Sequence, residues 1–290
     1  MIKYMLAALC AAVVLAVAEI VRELHGFKVR HYTVTSPKLK RDMRERRLLF
    51  LSDLHNHKYG EHNEKLLDAV RRQKPDLILI TGDMLVSRQG SQWEVAAEFV
   101  KQLPSICPVY YANGNHEQRM RENPEKYGTA YFAYKRELEA CGVQFLINEK
   151  AVLSWDGNSV VITGLEVPDS CYFRKKRTRL GLREMERRVG KADEGSYQIL
   201  LVHQPDFMSV YKAWGGDLIL SGHLHGGIIR VPGLGGVISP QMGLFPKYSG
   251  SLYREEDTRI VVSKGLGTHT VNIRLFNPAE LIVLHVRGER

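Results

Sequence analysis

Continuous apolar runs alternate with stretches of helical spacing through the first half of the chain. Over 63–73, for example, Leu66, Leu67 and Val70 fall on one helical face behind Asn63, which suits the N-cap position. Strands that alternate with helices in this way predict an α/β fold whose sheet is covered on both faces. The expected strands lie within 48–57, 76–83 and 108–117, and the expected helices span 63–73, 92–103 and 126–140.

The pattern changes after residue 150, where strands follow one another more closely. Alternating apolar residues on both sides of Asp156-Gly157 predict a hairpin over 151–164, because Asp-Gly favours a two-residue turn. Two more apolar strands are expected within 197–206 and 217–227. The second half of the chain therefore predicts a second sheet with more antiparallel pairing.

A separate apolar segment opens the chain. Residues 5–18 carry no charge, and the wider stretch 4–21 carries only Glu19. Eighteen helical residues span roughly 27 Å, close to the ~30 Å hydrocarbon core of a bilayer. We therefore expect a transmembrane anchor over 1–21. The alternatives are a signal peptide cleaved after Ala16-Val17-Ala18 and a buried core helix.

Composition excludes several classes of protein. The 290 residues are 44% hydrophobic and 25% charged, which excludes wholesale disorder, a collagen-like chain and a multi-span membrane protein. Four cysteines without a CxxC pair exclude a disulfide scaffold and a zinc module with four cysteine ligands.

Positive charge is concentrated in two segments of a chain whose formal net charge is +9. Nine basic residues oppose three acidic ones in 22–47, and nine oppose two in 174–191. The first segment predicts a basic connector over 22–46, followed by a globular domain over 47–290 on the cytoplasmic face of a cell membrane. Both segments suit anionic lipid or a polyanionic substrate, whereas the lack of interleaved aromatic residues disfavours nucleic acid.

Five predicted strands lead into residue types that bind metals. A single such residue is explained by a polar strand end, but ligands in α/β folds bind beyond the carboxyl ends of the strands, so five together predict one site. The residues are Asp53 and His55, Asp83, Asn115 and His116, His203, and His223 and His225, in the order of the strands.

The candidate ligands suit two metal ions. Two carboxylates, four imidazoles and one amide are too many for one ion and lack the cysteine of structural zinc sites. Ions ~3.5–4 Å apart need a bridging ligand, for which Asp83 is the candidate. Such a pair activates water near neutral pH and holds phosphoryl oxygens for in-line attack. The seven ligands are Asp53, His55, Asp83, Asn115, His203, His223 and His225.

The ordered motifs resemble the calcineurin-like metallophosphoesterase superfamily, whose signature is D-x-H, G-D, G-N-H-[DE], H and G-H-x-H. The flanking phrases, together with the segments 246–254 and 263–274, resemble its bacterial membrane-associated branch. The matching blocks are Asp53-Leu54-His55, Gly82-Asp83, Gly114-Asn115-His116-Glu117, His203 and Gly222-His223-Leu224-His225.

This resemblance implies a four-layer α/β/β/α sandwich, in which two packed mixed sheets are flanked by helices. It implies that Asp83 bridges two ions and that a hydroxide between them attacks phosphorus. His116 would contact the substrate and protonate the leaving oxygen, and Glu117 is expected to hold a turn rather than a metal. The implied ligand sets are Asp53, His55 and His225 for one ion, and Asn115, His203 and His223 for the other.

The resemblance and the apolar N-terminus together predict a membrane-anchored phosphoesterase with two divalent ions, which are expected to be Mn, Zn or Fe. The expected substrate is a phosphorylated small molecule or a lipid-linked phosphate. Some members of the superfamily cleave the pyrophosphate of UDP-2,3-diacylglucosamine, which is the specific hypothesis here. The alternatives are a general phosphodiesterase for nucleotides or cell-envelope phosphates, a metal-binding scaffold without turnover, and a nuclease.

A few further residues are weaker candidates. His57 and His62 are expected in a solvated loop, and His269 lies in a glycine turn that can border the site. Arg274 is one of several residues that can line the pocket, with Tyr248 and Arg254. The basic segment 174–191 is expected to form a helical flap near the entrance.

Overall fold

In a computed structural model of the chain, residues 1–90, 92–173, 175, 178–231, 233–239, 243–268 and 272–289 are described. The helices are α1 Ile2–His25, α2 Glu64–Gln73, α3 Glu94–Val100, α4 Asn115–Glu122, α5 Pro124–Tyr127, α6 Ala130–Ala140, α7 Leu182–Val189 and α8 Met208–Trp214. The strands are β1 Phe27–Ser36, β2 Arg46–Leu51, β3 Leu77–Ile80, β4 Val109–Tyr111, β5 Val143–Phe145, β6 Glu149–Trp155, β7 Asn158–Leu165, β8 Tyr197–Val202, β9 Leu218–Ser221, β10 Arg230–Val231, β11 Gly235–Gly236, β12 Ser251–Glu255, β13 Thr258–Val262 and β14 Ala279–Gly288.

The strands form two mixed six-stranded sheets and a small ribbon of β10 and β11. The first sheet has the order β1-β14-β2-β3-β4-β5, with β2 to β5 parallel and β14 antiparallel to β2. The second has the order β12-β13-β9-β8-β7-β6, with a parallel centre from β13 to β7 and antiparallel strands at both edges. The strand ends that carry the candidate ligands belong to the parallel part of each sheet.

Alternate residues of the central strands point into different apolar layers. In β2, Leu48 and Phe50 pack between the two sheets, whereas Leu49 and Leu51 pack against helices α2, α3 and α6. On the far face of the second sheet, strand residues pack against α7 and α8. Because both faces of these strands are buried, their sequences are apolar throughout rather than alternating. The expected four-layer α/β/β/α sandwich is confirmed.

The Asp156-Gly157 hairpin also has the expected form. β6 and β7 pair in antiparallel register from Glu149 and Gly164 to Trp155 and Asn158. Both turn residues have positive φ, 50° at Asp156 and 78° at Gly157. This is the backbone form that matches the twist of the flanking strands.

The helices are shorter than the sequence predicted. The helix expected over 92–103 is α3 followed by a 3-10 turn over Leu103–Ser105, and the one expected over 126–140 is divided into α5 and α6 at Gly128. Asn63 is the N-cap of α2, but its side-chain oxygen accepts the backbone N–H of Tyr59 instead of capping the helix. Apolar periodicity located these helices, whereas local turns set their ends.

The expected connector over 22–46 contains a ten-residue strand. β1 lies at the edge of the first sheet and pairs in parallel with β14 from Phe27 to Ser36. Its early residues pack towards the helical layer, and Tyr32 and Val34 pack towards the layer between the sheets. Since the buried face changes halfway and most of the exposed positions are basic, no single alternation marks the strand in the sequence.

Helix α1 extends through Ile2–His25, beyond the expected anchor at 1–21. It is long and apolar enough to cross a membrane, and its most apolar stretch is not buried against the rest of the chain. These properties fit a membrane span or a signal sequence.

Candidate metal centre

The predicted site residues lie together beyond the strand ends of the two sheets. Asp53 and His55 follow β2, Asp83 follows β3, His203 follows β8, and His223 and His225 follow β9. The third strand and turn expected within 108–117 is β4 followed by a short connection, and Asn115 and His116 begin helix α4, which was not expected there.

One cluster of possible ligands contains Asp53, His55 and His225, whose donor atoms all lie within 4.8 Å of one another. His225 Nε2 is 3.3 Å from Asp53 Oδ1 and 3.1 Å from His55 Nε2. Two ring nitrogens and a carboxylate oxygen thus point at one small volume.

A second cluster contains Asp83, His203 and His223 under the same distance limit. His203 Nε2 is 3.0 Å from Asp83 Oδ2, and the two imidazole centroids are 5.2 Å apart. The Tyr172 ring packs edge-on against the His223 ring, with centroids 4.9 Å apart, and covers this side of the cluster.

Asp83 lies between the two clusters. Its Oδ2 is 3.8 Å from His55 Nε2 in the first cluster and 3.0 Å from His203 Nε2 in the second. His55, Asp83 and His116 form a third possible group, with His116 Nε2 3.9 Å from Asp83 Oδ2. A carboxylate in this place can contact two ions at once.

Asn115 also fits a ligand role. Its side-chain Oδ1 is buried and has no hydrogen-bond partner among the described residues. The next residue, His116, donates its backbone N–H to Asp83 Oδ1 at 2.8 Å, so the start of α4 is tied to the shared carboxylate. A buried amide oxygen without a donor costs free energy unless a cation or water satisfies it.

Backbone carbonyls fix two of the imidazoles so that Nε2 of each faces the candidate ligands. His203 Nδ1 donates to Thr81 O at 2.7 Å, and His225 Nδ1 donates to Gly267 O at 3.2 Å. In the neutral rings Nε2 is then the unprotonated nitrogen, which is the form that binds metals. The donor set, its orientation and the unsatisfied Asn115 oxygen all fit divalent metal ions.

Glu117 holds the turn that presents Asp83. Its carboxylate accepts the backbone N–H groups of Asp83, Met84 and Gly114 at 2.8–3.0 Å, and the hydroxyl of Tyr111 at 2.7 Å. Burial and the Asp83 charge raise the pKa of this carboxyl. The expectation that Glu117 holds a turn agrees with these contacts.

Five of the candidate ligands adopt a left-handed backbone. The φ angles are 55° at Asp53, 50° at His55, 52° at Asp83, 70° at His223 and 49° at His225. Each such non-glycine residue costs roughly 1–3 kcal/mol, and such strain concentrates at functional sites.

Glycines allow the ligand loops to pack closely. Gly82 has φ of 85°, and a Cβ there would overlap the backbone of Gly114. At Gly222, which has no positive φ, a Cβ would overlap Ser52 Oγ and Asp53 Oδ2. Two loops from different sheets therefore meet without space for a methyl group.

The electrostatics of the two carboxylates favour the charged form. Burial raises the pKa of Asp83, but His203 and His116 outweigh it and hold that pKa well below its usual range. Burial also raises the pKa of Asp53, but His225 and His203 outweigh it and hold that pKa below its usual range. Burial lowers the pKa of His203, but Asp83 and Asp53 raise it to about 9 overall. Burial and the neighbouring His203 hold the pKa of His223 well below its usual value.

The remaining candidates lie in several places. His62 is exposed and pairs with Glu98, whereas His57 is largely buried and donates to the Leu24 carbonyl of α1. Arg274 is buried and donates to the carbonyls of 264, 265, 267 and 277, so it supports the loop behind the site rather than lining a pocket. His269 lies outside the described residues, as do Arg174, Lys176 and Arg177 of the expected flap, which contains α7.

Sequence reasoning missed Ser87 and Asn277. The Ser87 backbone N–H donates to His116 Nδ1 at 2.8 Å, and Ser87 Oγ is 2.7 Å from the same nitrogen. Asn277 Nδ2 donates to the carbonyls of His225 and Gly227 at 2.7 and 2.6 Å. Neither residue belongs to a motif, and only three-dimensional contact reveals them.

Comparison with known proteins agrees with this arrangement. The sequence matches the family model described as calcineurin-like phosphoesterase over residues 46–227. It is 27% identical over 270 residues to the uncharacterised metallophosphoesterase YkuE of Bacillus subtilis, covering 92% of this chain and 87% of that protein. It is 25% identical over 227 residues to the phosphodiesterase YaeI of Escherichia coli, covering 77% and 75%. Among solved structures it is similar to phosphopantetheinyl hydrolase from Mycobacterium tuberculosis, with a TM-score of 0.46, 16% identity and coverage of 77% and 89%.

Proposed function

The chain belongs to the calcineurin-like phosphoesterase family. From this membership, together with the apolar helix α1, we propose that it is a membrane-anchored phosphoesterase with a two-metal centre. As a family member it is a metal-dependent phosphoester hydrolase that acts on a phosphorylated substrate. The observation that carries the two-metal proposal is the position of Asp83, which lies within 3.8 Å of a ligand candidate from each cluster.

In this proposal each ion has its own three ligands. Asp53, His55 and His225 hold one, Asn115, His203 and His223 hold the other, and Asp83 is shared. Two divalent ions would carry four positive charges, of which the two carboxylates neutralise only two. The remaining positive charge favours a phosphoryl group, and the bound ions would supply activated water and a clamp on the phosphoryl oxygens.

His116 is proposed as the acid that serves the leaving oxygen. In the neutral ring the Ser87 N–H occupies Nδ1, so the proton is on Nε2, on the side of Asp83. When the ring is protonated, Nδ1–H can donate to Ser87 Oγ instead. As water oxygen bonds to phosphorus and the ester P–O bond breaks, the protonated ring gives its Nε2 proton to the departing oxygen and becomes neutral, with Nδ1–H still facing Ser87 Oγ.

Two features support a substrate at the membrane. Helix α1 has the length and composition of a membrane span, and exposed basic residues, Lys28 and Arg30, follow it closely. The same basic residues favour a catalytic domain on the cytoplasmic face. An amphiphilic phosphate such as UDP-2,3-diacylglucosamine fits these features. The similarity to YaeI favours the second candidate, a general phosphodiesterase.

The test is hydrolysis by the purified full-length protein in detergent. With Mn²⁺, Zn²⁺ or Fe²⁺ added, we expect turnover of bis(p-nitrophenyl) phosphate that a chelator abolishes and metal restores. Elemental analysis should find two ions per chain. A folded, metal-loaded protein that hydrolyses neither this diester nor any of a panel of soluble and lipid-linked phosphates would be the scaffold instead.

A further inference from the structure

Exposed apolar side chains are concentrated in one part of the catalytic domain. Beyond the N-terminal helix, eleven large apolar residues are exposed among those that the structure describes after residue 25, and seven of them lie in only two short segments. Large clustered apolar surfaces of this kind mark contact with a partner or a membrane. We call these seven the apolar rim: Ile229, Val231, Leu234, Leu244, Phe245, Ile273 and Phe276.

Backbone hydrogen bonds join the two segments of the apolar rim. Arg230 N donates to Leu275 O at 3.1 Å, so the segment starting at 229 lies beside the segment 273–276. Within the first segment, Val237 N donates to Ile229 O and Phe245 N donates to Val237 O, both at 2.9 Å. The seven residues thus belong to one connected piece of structure.

The end of α1 is attached to this same piece. The carboxylate of Glu23, which is buried, accepts the backbone N–H of Asn277 at 2.8 Å, one residue from Phe276. The side chain of Asn277 in turn holds the carbonyls of His225 and Gly227. The apolar rim, the end of the apolar helix and a candidate metal ligand are therefore linked by three hydrogen bonds.

We propose that the apolar rim is a membrane-docking surface that inserts into the lipid interface beside α1 and turns the metal centre towards it. The proposal rests on the membrane anchoring in the proposed function. A helix that leaves the bilayer at Glu23 fixes the adjoining segment 273–277 close to the bilayer surface.

Charge and composition favour lipid over a protein partner. The exposed basic residues Lys28 and Arg30 follow the end of α1 closely along the chain, and basic residues near apolar side chains suit an anionic bilayer surface. Phe245 and Phe276 are more than half exposed, as is Leu234, which matches side chains that enter the interface. A substrate that stays in the membrane would then reach the metal centre without leaving the lipid phase.

The test measures quenching of an added tryptophan by brominated acyl chains. The full-length protein is placed in vesicles of phosphatidylethanolamine and phosphatidylglycerol, as Leu234→Trp or Phe245→Trp. Both positions are exposed, so the fold should tolerate the change. We expect clear quenching of the added emission in both variants, because residues at the lipid interface lie at the boundary of the headgroups and the acyl chains.

Two matched variants make the result decisive. Val152→Trp lies on β6, at the opposite edge of the second sheet from β12, is 71% exposed and should not be quenched. Val14→Trp lies in α1 and should be strongly quenched. Quenching at Val14 but not at 234 and 245 overturns the docking surface and leaves the anchor intact. No quenching at Val14 overturns both, and equal quenching at 152 overturns the assignment of this surface.

Acrylamide, a quencher in the aqueous phase, separates lipid from protein as the occupant. If the tryptophans at 234 and 245 are protected from both quenchers, a second copy or another protein covers them, and the proposal is overturned.

A second measurement uses the double variant Leu234→Glu and Phe245→Glu. It should keep its turnover of bis(p-nitrophenyl) phosphate and lose turnover of a diester embedded in vesicles several-fold. Equal turnover of both substrates would contradict the proposal without affecting the phosphodiesterase assignment.

Discussion

At the residue scale, the two proposed roles can be separated by measuring metal and rate in the same variants. Asp83→Ala should lose bound metal as well as activity, because the shared carboxylate is removed. His116→Ala should keep most of its metal and lose roughly 10²- to 10⁴-fold in kcat, the usual contribution of a general acid. Metal content by elemental analysis and kcat are the readouts. If both variants retain two ions, the bridging role of Asp83 is wrong.

The choice of leaving group refines the His116 prediction. An alkyl leaving group needs a proton more than p-nitrophenol does, so His116→Ala should slow alkyl esters much more. Ser87→Ala should show the same preference in weaker form, since it removes the oxygen that supports the protonated ring but keeps the backbone N–H. Equal losses on both esters would contradict the acid role.

The pKa of His203 predicts that metal binding depends on pH. With Asp83 and Asp53 beside it, the pKa of this ring is raised to about 9 in the metal-free protein, so at neutral pH the ring carries a proton that a cation must displace. Affinity for Mn²⁺ should therefore rise as the pH increases towards 9 and then level off. Calorimetry in two buffers of different ionisation enthalpy should detect the released proton. Affinity that is flat from pH 6.5 to 9 would contradict this prediction.

The sequence predicted which residues meet but not what orients them. The eight predicted site residues lie together because strand ends converge in an α/β fold, and that convergence follows from pattern alone. Their assigned roles stay predictions. Sequence reasoning missed Ser87, Asn277 and Glu23. These residues make hydrogen bonds with backbone groups of segments far apart in the chain, and no local spacing in the sequence predicts such contacts.

At the element scale, the loop that follows β9 packs so closely against the loop that follows β2 that Gly222 has no space for a side chain. Gly222→Ala would push a methyl group into Ser52 Oγ and Asp53 Oδ2, so we expect a loss of about 1–3 kcal/mol in stability together with weakened metal binding. Gly181→Ala is the matched control, because nothing lies within 4 Å of a Cβ there. Thermal unfolding and metal titration of both variants would check it. If both variants unfold at the same temperature and bind metal equally well, the loops after β2 and β9 can move apart to accept the methyl group, which would contradict the prediction.

Element types were predicted better than element ends. Apolar runs located the central strands of both sheets, β2 to β4 and β6 to β9, since full burial on two faces leaves a clear signal. The start of α4 at Asn115 was missed because a motif of glycine, asparagine and histidine suits a turn as well as a first helical turn. The strands β1, β5 and β12 were also missed, and in β1 most exposed positions are basic and the buried face changes along the strand.

At the scale of the whole molecule, the junction between α1 and the domain predicts different effects of two truncations. Removing residues 2–21 should release the protein from membranes and keep turnover of a soluble diester, because Glu23 still accepts the Asn277 N–H. Removing residues 2–25 should also release the protein, but it should lower the free energy of unfolding by about 1–3 kcal/mol, because the buried Asn277 N–H is left unpaired. Membrane fractionation, thermal unfolding and kcat for the soluble diester are the measurements. Loss of activity in the shorter truncation would contradict the prediction.

The overall architecture was predictable from the order of strands and helices together with the motif order. Apolar strands that need cover on both faces predicted a covered sheet and a second sheet, whereas the four-layer arrangement was implied by the resemblance to the superfamily. The sequence could not reveal that the first and last strands are neighbours, since parallel pairing of β1 with β14 joins segments far apart in the chain and leaves no local pattern.

That pairing has a consequence for biosynthesis. β14 lies between β1 and β2 in the first sheet, so a strand that is translated late separates two that are translated early. Until β14 has been translated, β1 lacks its partner among the described strands and one edge of β2 is open. Open strand edges invite pairing with other chains. The nascent domain should therefore depend most on chaperone protection until β14 has been translated and has paired with β1 and β2.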